Sequence, residues 1–463
     1  METALQEREP VKARLATRPL GFFGSLRAAR TNLLEILPAI AVTQPMVSGR
    51  TGVRWHMVMD PEALRRILLE KVDDYPKSVV TKNLLRPAIG ESLFIAEGAH
   101  WRWQRRAAAP AFSARNIGAL SPVMTAAADA SSDRIAAAGS RAIDVHLEMV
   151  RATFEVISDV TLSGEGRFDR ESMHRAIDNY IDVAGRVSLF DIAGLPGWVP
   201  RPGRVISGNA LKKMKAVADD AIAKRGAGSA KSPPDLLDLL MAGEDRETRR
   251  RMRTPEIRDN LLTFIVAGHE TTALTLAWGL YLCAFAPEVQ EAAAEEARRV
   301  LGSRTARAED LPALPLIRAI VDESLRLYPP AGLLSRTART ADTLCGREIR
   351  AGDTVMIPIY ALHRNRLLWD RPDAFDPQRF RDGTPVDRYG YLPFGDGPRI
   401  CIGAGFAIQE AVIILATLLA RFRFRAVPGR DPKPVLIITT RPEGGIWLTA
   451  EPRPDPDRPR AAA

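Results

Sequence analysis

Cysteine is scarce in this sequence. There are three in 463 residues, Cys283, Cys345 and Cys401, and no two of them form a C-x-x-C. That excludes a disulfide framework, a four-thiolate zinc site and a cysteine-ligated iron–sulfur cluster. It also suits a reducing compartment. Long apolar runs are missing too. The best, Leu33 to Val42, is about half the roughly 20 residues that a membrane span needs, and it contains Glu35 and Pro38. The N-terminal METALQEREPVKARLATRP lacks the apolar core of a signal peptide. The reading is a cytoplasmic protein with no membrane anchor. C2H2 spacing and the aromatic–glycine signature of a single-strand RNA module are absent, so no nucleic-acid partner is expected.

What is present is a chain able to bury a core, with 46% of residues apolar and 26% charged. The net charge of +9 describes a mainly solvated surface, with an acidic partner as the alternative use. Length alone allows several domains. The most linker-like stretch, Arg225 to Pro234, is short and runs straight into a helical pattern, so it reads as a surface loop. The expectation is one domain over residues 1–463, with loose tails over about 1–20 and 451–463 and no internal repeat.

Helical periodicity dominates. Helices are expected over Asp60 to Leu69, His100 to Ala109 (closed by Pro110), Leu147 to Leu162 and Asn209 to Lys224. Thr254-Pro255-Glu256 is a helix start with a capping hydroxyl, and the apolar pattern then runs to Phe285, long enough to cross the molecule. Pro287 opens another helix ending near Leu301, and Leu314 to Leu327 is stopped by Pro329-Pro330. Strand signals are fewer: Thr354 to Tyr360, Val435 to Thr440, and Gly445 to Thr449 as a hairpin partner of the second. The fold class is mainly α with small β-sheets.

The decisive segment is Phe394 to Gly403, Phe-Gly-Asp-Gly-Pro-Arg-Ile-Cys-Ile-Gly. Three glycines and a proline give a loop whose backbone amides can turn toward the sulfur of Cys401. A thiolate held by amides is a good ligand for ferric iron. Arg399 offers a charge for an anionic group, and Ala404 to Leu419 reads as an apolar helix with its positive end toward the sulfur. Taken alone, a cysteine in a glycine-rich turn reads as a buried structural residue. Here the full pattern Phe-x-x-Gly-x-Arg-x-Cys-x-Gly resembles the haem-binding loop of the cytochrome P-450 family at every specified position.

Other segments agree with that resemblance. Ala267-Gly268-His269-Glu270-Thr271-Thr272 lies midway along the long helix and is similar to the family's oxygen-activating stretch. Ala267 and Gly268 remove bulk beside a flat macrocycle, Thr271 can bond back to an earlier carbonyl, and Glu270 can supply protons. A zinc-protease reading of His269-Glu270 needs a second histidine where Ala273 stands. Glu323 and Arg326, with Arg379, resemble the family's structural triad; Gln378 stands where the family often has Glu. Trp101 and Arg105, four apart, put two donors on one helix face. With Arg336 and Arg399 they could meet the two haem propionates.

The resemblance implies a single-domain P-450 fold with haem b between the long helix and the cysteine-bearing one. Cys401 would be the axial iron ligand, with Phe394, Gly403, Ala267 and Gly268 beside the cofactor, and Glu270 and Thr271 catalytic. It implies monooxygenation: one atom of O2 enters a hydrophobic substrate (a fatty acid, terpenoid or steroid-like molecule), and the other leaves as water. Electrons would come from a separate ferredoxin or flavodoxin-type donor with its reductase, so NAD(P)H acts only indirectly. Arg102, Arg106 and Arg115 are candidates for its docking patch. Pocket residues carried over by position are Leu93, Phe94, Ile95, Thr263, Val266, Ala267, Gly332, Leu333 and Ile438, nearly all apolar, with Arg86 as a candidate carboxylate anchor. The alternatives are a haem-thiolate peroxygenase or isomerase, against which Glu270 and Thr271 argue, and a non-catalytic haem sensor.

Overall fold

A computed structural model of the chain describes residues 9–162, 208–227, 234–381 and 386–454. The α-helices among them are α1 (Phe22–Thr31), α2 (Pro61–Arg65), α3 (Val79–Ile89), α4 (Gly98–Ala108), α5 (Ala114–Ala138), α6 (Val145–Leu162), α7 (Gly208–Ala227), α8 (Leu236–Ala242), α9 (Thr254–Phe285), α10 (Pro287–Leu301), α11 (Pro315–Leu327), α12 (Ile359–Leu362) and α13 (Ala404–Arg421). The strands are β1 (Met46–Thr51), β2 (Val53–Val58), β3 (Ile143–Asp144), β4 (Leu334–Thr337), β5 (Asp342–Leu344), β6 (Arg347–Ile349), β7 (Thr354–Ile357), β8 (Phe422–Ala426), β9 (Lys433–Leu436), β10 (Thr440–Glu443) and β11 (Trp447–Pro452).

α9 is 32 residues long, about 48 Å at 1.5 Å per residue. It is buried on nearly all sides by α6, α7, α11 and α13, which explains its lack of a polar face. Thr254 is not its cap. Glu256 instead reaches back to accept the Arg253 N–H at 2.9 Å, satisfying an otherwise orphaned donor. α13 is apolar and long enough to cross a membrane by length and composition, yet 72% of it is buried inside the protein. At its side α11 is capped from outside: Glu296 of α10 accepts the N–H groups of Leu316 and Ile317 at 3.0 Å. Trp278 of α9 stacks on Tyr328 at 3.9 Å, linking the helical core to the end of α11.

A second core lies under a four-stranded sheet of order β1-β2-β7-β4, in which β2 and β7 run parallel and the other pairs antiparallel. Four expectations are corrected here. Thr354 to Tyr360 is a strand only to Ile357, because Pro358 ends it and Ile359 opens α12. Helix α2 is shorter than Asp60 to Leu69; it widens into a π-helical turn over Arg66–Glu70. Val435 to Thr440 does not pair with Gly445 to Thr449. It folds on itself as the β9–β10 hairpin, while β11 joins β8 and β3. The cause is local: Gly444 and Gly445 take positive φ, and Asp144 accepts the Ile446 N–H at 3.0 Å, turning the chain away. Finally, the ends are less loose than expected. Val11 and Ala13 donate their N–H groups to the hydroxyls of Tyr281 and Tyr360 at 3.0 and 2.9 Å. Arg453 pairs with Glu291 at 2.7 Å. The linker-like stretch lies partly outside the described residues, as do residues 1–8 and 455–463.

Candidate active site

The cysteine loop is held by its own backbone and by charges that sequence reasoning did not single out. Cys401 donates its N–H to the Phe394 carbonyl at 2.9 Å. Asp396, buried, caps Gly397 and pairs with Arg388 at 2.7 and 2.8 Å. Gly395 and Gly397 take φ of 68° and 69°. At Gly397 a Cβ would lie 2.1 Å from the Leu68 carbonyl oxygen, so only glycine fits. The Cys401 side chain is accessible, but to a cavity rather than to bulk solvent. Burial pushes its thiol up, and the Gly403 N–H, Arg105 and Lys77 pull it down without fully compensating. The free side chain is therefore a thiol at neutral pH, and a bound metal would deprotonate it.

The cavity has a volume of about 1100 Å³ and runs between the loop and α9. Opposite Cys401 it is lined by Ala267, Gly268, Glu270 and Thr271. The Thr271 hydroxyl donates to the Ala267 carbonyl at 2.8 Å, across its own helix. Gly268 also serves helix packing: a Cβ there would come within 3.2 Å of Ile157 on α6. Glu270 is not simply poised as a donor. Its buried carboxylate accepts Thr439 Oγ1 at 2.9 Å and the Nε of Arg441. Burial raises its proton affinity, but the Arg441 charge, with His269 and Thr439, outweighs this, and the carboxyl sits below its ordinary range.

On the loop side the cavity meets an excess of buried positive charge. Arg336 is pushed down to about 10 by burial and by neighbouring Arg399. Burial and the same two arginines hold Lys77 well below the ordinary lysine range, and it donates to the Phe94 carbonyl at 2.6 Å. Arg105 is lowered by burial and makes no hydrogen bond or ion pair among the described residues. Arg399 pairs with Glu97 and stacks over Trp101 at 4.4 Å. Glu97 is itself shared with Lys82 at 3.1 Å. Trp101 and the four cations thus face one end of an otherwise apolar cavity with a single shared carboxylate, a costly arrangement unless an anion completes it. The residues present fit haem: a sulfur for the iron, small residues for the ring face, and donors for two propionates. Lys77 and Glu97 belong to this group and went unnoticed in the sequence, because nothing local marks them.

The Glu323–Arg326 pair is fully buried, with contacts of 2.6 and 2.7 Å, and Arg379 joins Glu323 at 3.2 Å. Arg326 also donates to the carbonyls of His363, Pro372 and Ala374. The three residues therefore organise the chain from His363 to Arg379. Removing one partner from such a pair costs roughly 3–5 kcal/mol.

Of the pocket residues expected, Leu93, Phe94, Thr263, Val266, Ala267, Leu333 and Ile438 line the cavity. Ile95 is buried in the core instead, and Gly332 lies beneath Leu436 and Thr440. Arg86 is spent on Glu91 at 2.7 Å and is no anchor for the cavity. The three arginines considered for docking differ in their pairing. Arg102 pairs with Asp73 and Arg106 with Asp245 and Glu247, leaving Arg115 as the one of the three without an ion pair among the described residues.

Comparison with known proteins gives a consistent result. The family model described as Cytochrome P450 matches residues 42–449. Cyclooctatin synthase from Streptomyces melanosporofaciens is 32% identical over 91% of this chain and 91% of its own length. Cyclooctat-9-en-7-ol 5-monooxygenase from the same organism is 33% identical over 86% of each chain. Among solved structures, the cytochrome P450DA heme domain superposes with a TM-score of 0.83 at 25% identity, covering 97% of this chain and 100% of that one.

Proposed function

This chain belongs to the cytochrome P450 family of haem-thiolate monooxygenases, and we propose that it binds haem b through Cys401 and oxygenates a hydrophobic, terpenoid-like molecule. The observation that carries the proposal is the placement of the Cys401 side chain on one wall of an apolar cavity, with Ala267 and Thr271 on the other. Trp101, Arg105, Arg336 and Arg399 would hold the propionates, with Lys77 adding charge, and Phe394 and Gly403 would shape the sulfur side. The bound haem supplies O–O cleavage favoured by its thiolate ligand.

The chain's own residues do the rest. Leu93, Phe94, Val266, Leu333 and Ile438 exclude water and orient an apolar substrate. Thr271 offers a hydroxyl on the oxygen side, and Glu270 carries protons toward it from behind the helix. The two relatives named for cyclooctatin and cyclooctat-9-en-7-ol support a terpenoid over a fatty acid, as does the loss of Arg86 as a carboxylate anchor. Two electrons must arrive from a separate ferredoxin or flavodoxin-type protein, with NAD(P)H as their indirect source. Arg115 is the remaining exposed candidate on the docking face.

A reduced carbon-monoxide difference spectrum tests the ligand: the displaced Soret band of a thiolate is expected, and its absence in freshly loaded protein would refute the assignment. Titration with terpenoid alcohols and with fatty acids, read as a Soret shift, tests the substrate class. Tighter binding of fatty acids would reverse it.

A further inference from the structure

Two neighbouring residues of the cavity wall, Leu93 and Phe94, are held by different elements. Leu93 donates its N–H to Asn260 Oδ1 of α9 at 2.9 Å, and Asn260 in turn donates to Gln104 Oε1 of α4 at 2.8 Å. Phe94 is held by Lys77. The Lys77 Nζ donates to the Phe94 carbonyl at 2.6 Å and also sits over the Phe94 ring, 3.4 Å from its centre. Among the described residues no other cation and no aromatic ring meets that ring face. Lys77 is itself fixed by its backbone. Glu97 Oε1 accepts its N–H at 3.0 Å. The residues on either side are tied to β4: Thr337 donates to the Pro76 carbonyl at 3.0 Å, and Ser78 donates to the Ser335 carbonyl at 3.2 Å.

The two contacts act together. The carbonyl fixes where the nitrogen stands relative to the Phe94 backbone. The nitrogen then attracts the ring face, most strongly as an ammonium and still as a neutral N–H donor. One group bound to both the main chain and the ring of the same residue favours a single rotamer of that ring. This matters for the width of the cavity. Among Leu93, Phe94, Val266, Leu333 and Ile438, only Phe94 carries a ring, so its rotamer changes the free space most. We propose that Lys77 is a positioning residue that fixes the Phe94 ring at the cavity wall, and through it sets how bulky a substrate the cavity admits. This rests on the reading of the cavity as the substrate pocket of a haem enzyme.

The test titrates haem-loaded full chain with two terpenoid alcohols, linear geraniol and tricyclic cedrol, each read as a Soret shift. The ratio of their dissociation constants is the measurement, because incomplete haem loading cancels from it. In K77M the ratio should move by about tenfold in favour of cedrol. F94A should move it the same way, and K77M added to F94A should change it little further. R336M lowers the charge at the same end of the cavity but leaves the Lys77 nitrogen in place, so its ratio should stay near wild type. An unmoved ratio in K77M, an equal movement in R336M, or a full additional effect of K77M in the F94A background overturns the proposal. A second reading needs neither haem nor ligand. With 4-fluorophenylalanine at position 94 of the haem-free chain, the fluorine resonance should shift toward its unfolded-chain position in K77M and hold in R336M. Identical resonances in wild type and K77M overturn the clamp. If neither alcohol shifts the Soret band of the wild type, the pocket reading fails, and the fluorine spectrum alone decides whether Lys77 holds Phe94. If K77M does not fold, K77Q takes its place in both readings.

Discussion

His363 accepts the backbone N–H of Leu392 through Nε2 at 2.9 Å, just ahead of the cysteine loop. Its other nitrogen faces the Arg326 carbonyl at 3.1 Å. Because Leu392 can only donate, Nε2 is the acceptor and Nδ1 carries the hydrogen. One neutral imidazole thus ties the buried Glu323–Arg326 pair to the segment that delivers Cys401.

That imidazole gives stability a pH dependence. Burial, reinforced by Arg326, pushes His363 down to about 3. An unfolded histidine titrates near 6.5, so between those values the unfolded chain binds the extra proton. Stability should therefore fall as pH drops below about 6.5, by at most ~1.4 kcal/mol per pH unit from this residue. His363→Leu should lose this part of the slope and cost about 1–3 kcal/mol at neutral pH through two unpaired backbone groups. Denaturant unfolding from pH 4 to 8 reads both; an unchanged slope would contradict the assignment.

Arg336 should have opposite effects with and without cofactor. In the haem-free chain it is a buried charge beside Arg399, and Arg336→Met should be neutral or stabilising by about 1–4 kcal/mol. In the loaded protein the same change should speed haem loss to a scavenging protein. Faster melting of the haem-free variant would show that Arg336 is not an unmet charge.

Gly397 and Gly395 share a positive φ but not a neighbourhood. Gly397→Ala drives a Cβ onto the Leu68 carbonyl, whereas Gly395→Ala meets nothing within 4 Å. Conformational strain of ~1–2 kcal/mol applies to both, and the clash to Gly397 alone. Thermal unfolding should rank Gly397→Ala clearly lower, with weaker haem retention; equal melting temperatures would argue against the clash.

Thr271→Ala removes the hydroxyl that bonds to Ala267 and faces the cavity. Oxygen consumption should continue while product per O2 falls by roughly tenfold to hundredfold, with peroxide taking up the difference. Retained coupling would leave the hydroxyl without a part in proton handling.

How much of this was legible in advance depends on how local each feature is. The loop around Cys401, the back-bonding Thr271 and the length of α9 follow from residues close together in the chain, where periodicity and turn chemistry act. Gly444 and Gly445 are local too, yet they do not define the hairpin, because a run such as Val435 to Thr440 reads equally as one strand or as two with a turn. The pairing of Arg102 and Arg106 with acids, and of Arg86 with Glu91 outside the cavity, could not be read from the sequence. A charged side chain's partner depends on distances that the sequence does not contain.

By itself the sequence determined the mainly α class, the cysteine that faces the cavity and the two helices that enclose it. Each is written in short-range patterns of apolar spacing, glycine and proline. Tertiary structure decided the charge state of the site: that Lys77, Arg105, Arg336 and Arg399 gather at one end of the cavity with only Arg399 of the four in an ion pair, to Glu97, among the described residues, and that Glu270 rests against Arg441. Such groups lie far apart in the chain, and only packing sets the burial and the neighbouring charges that fix how each of them titrates.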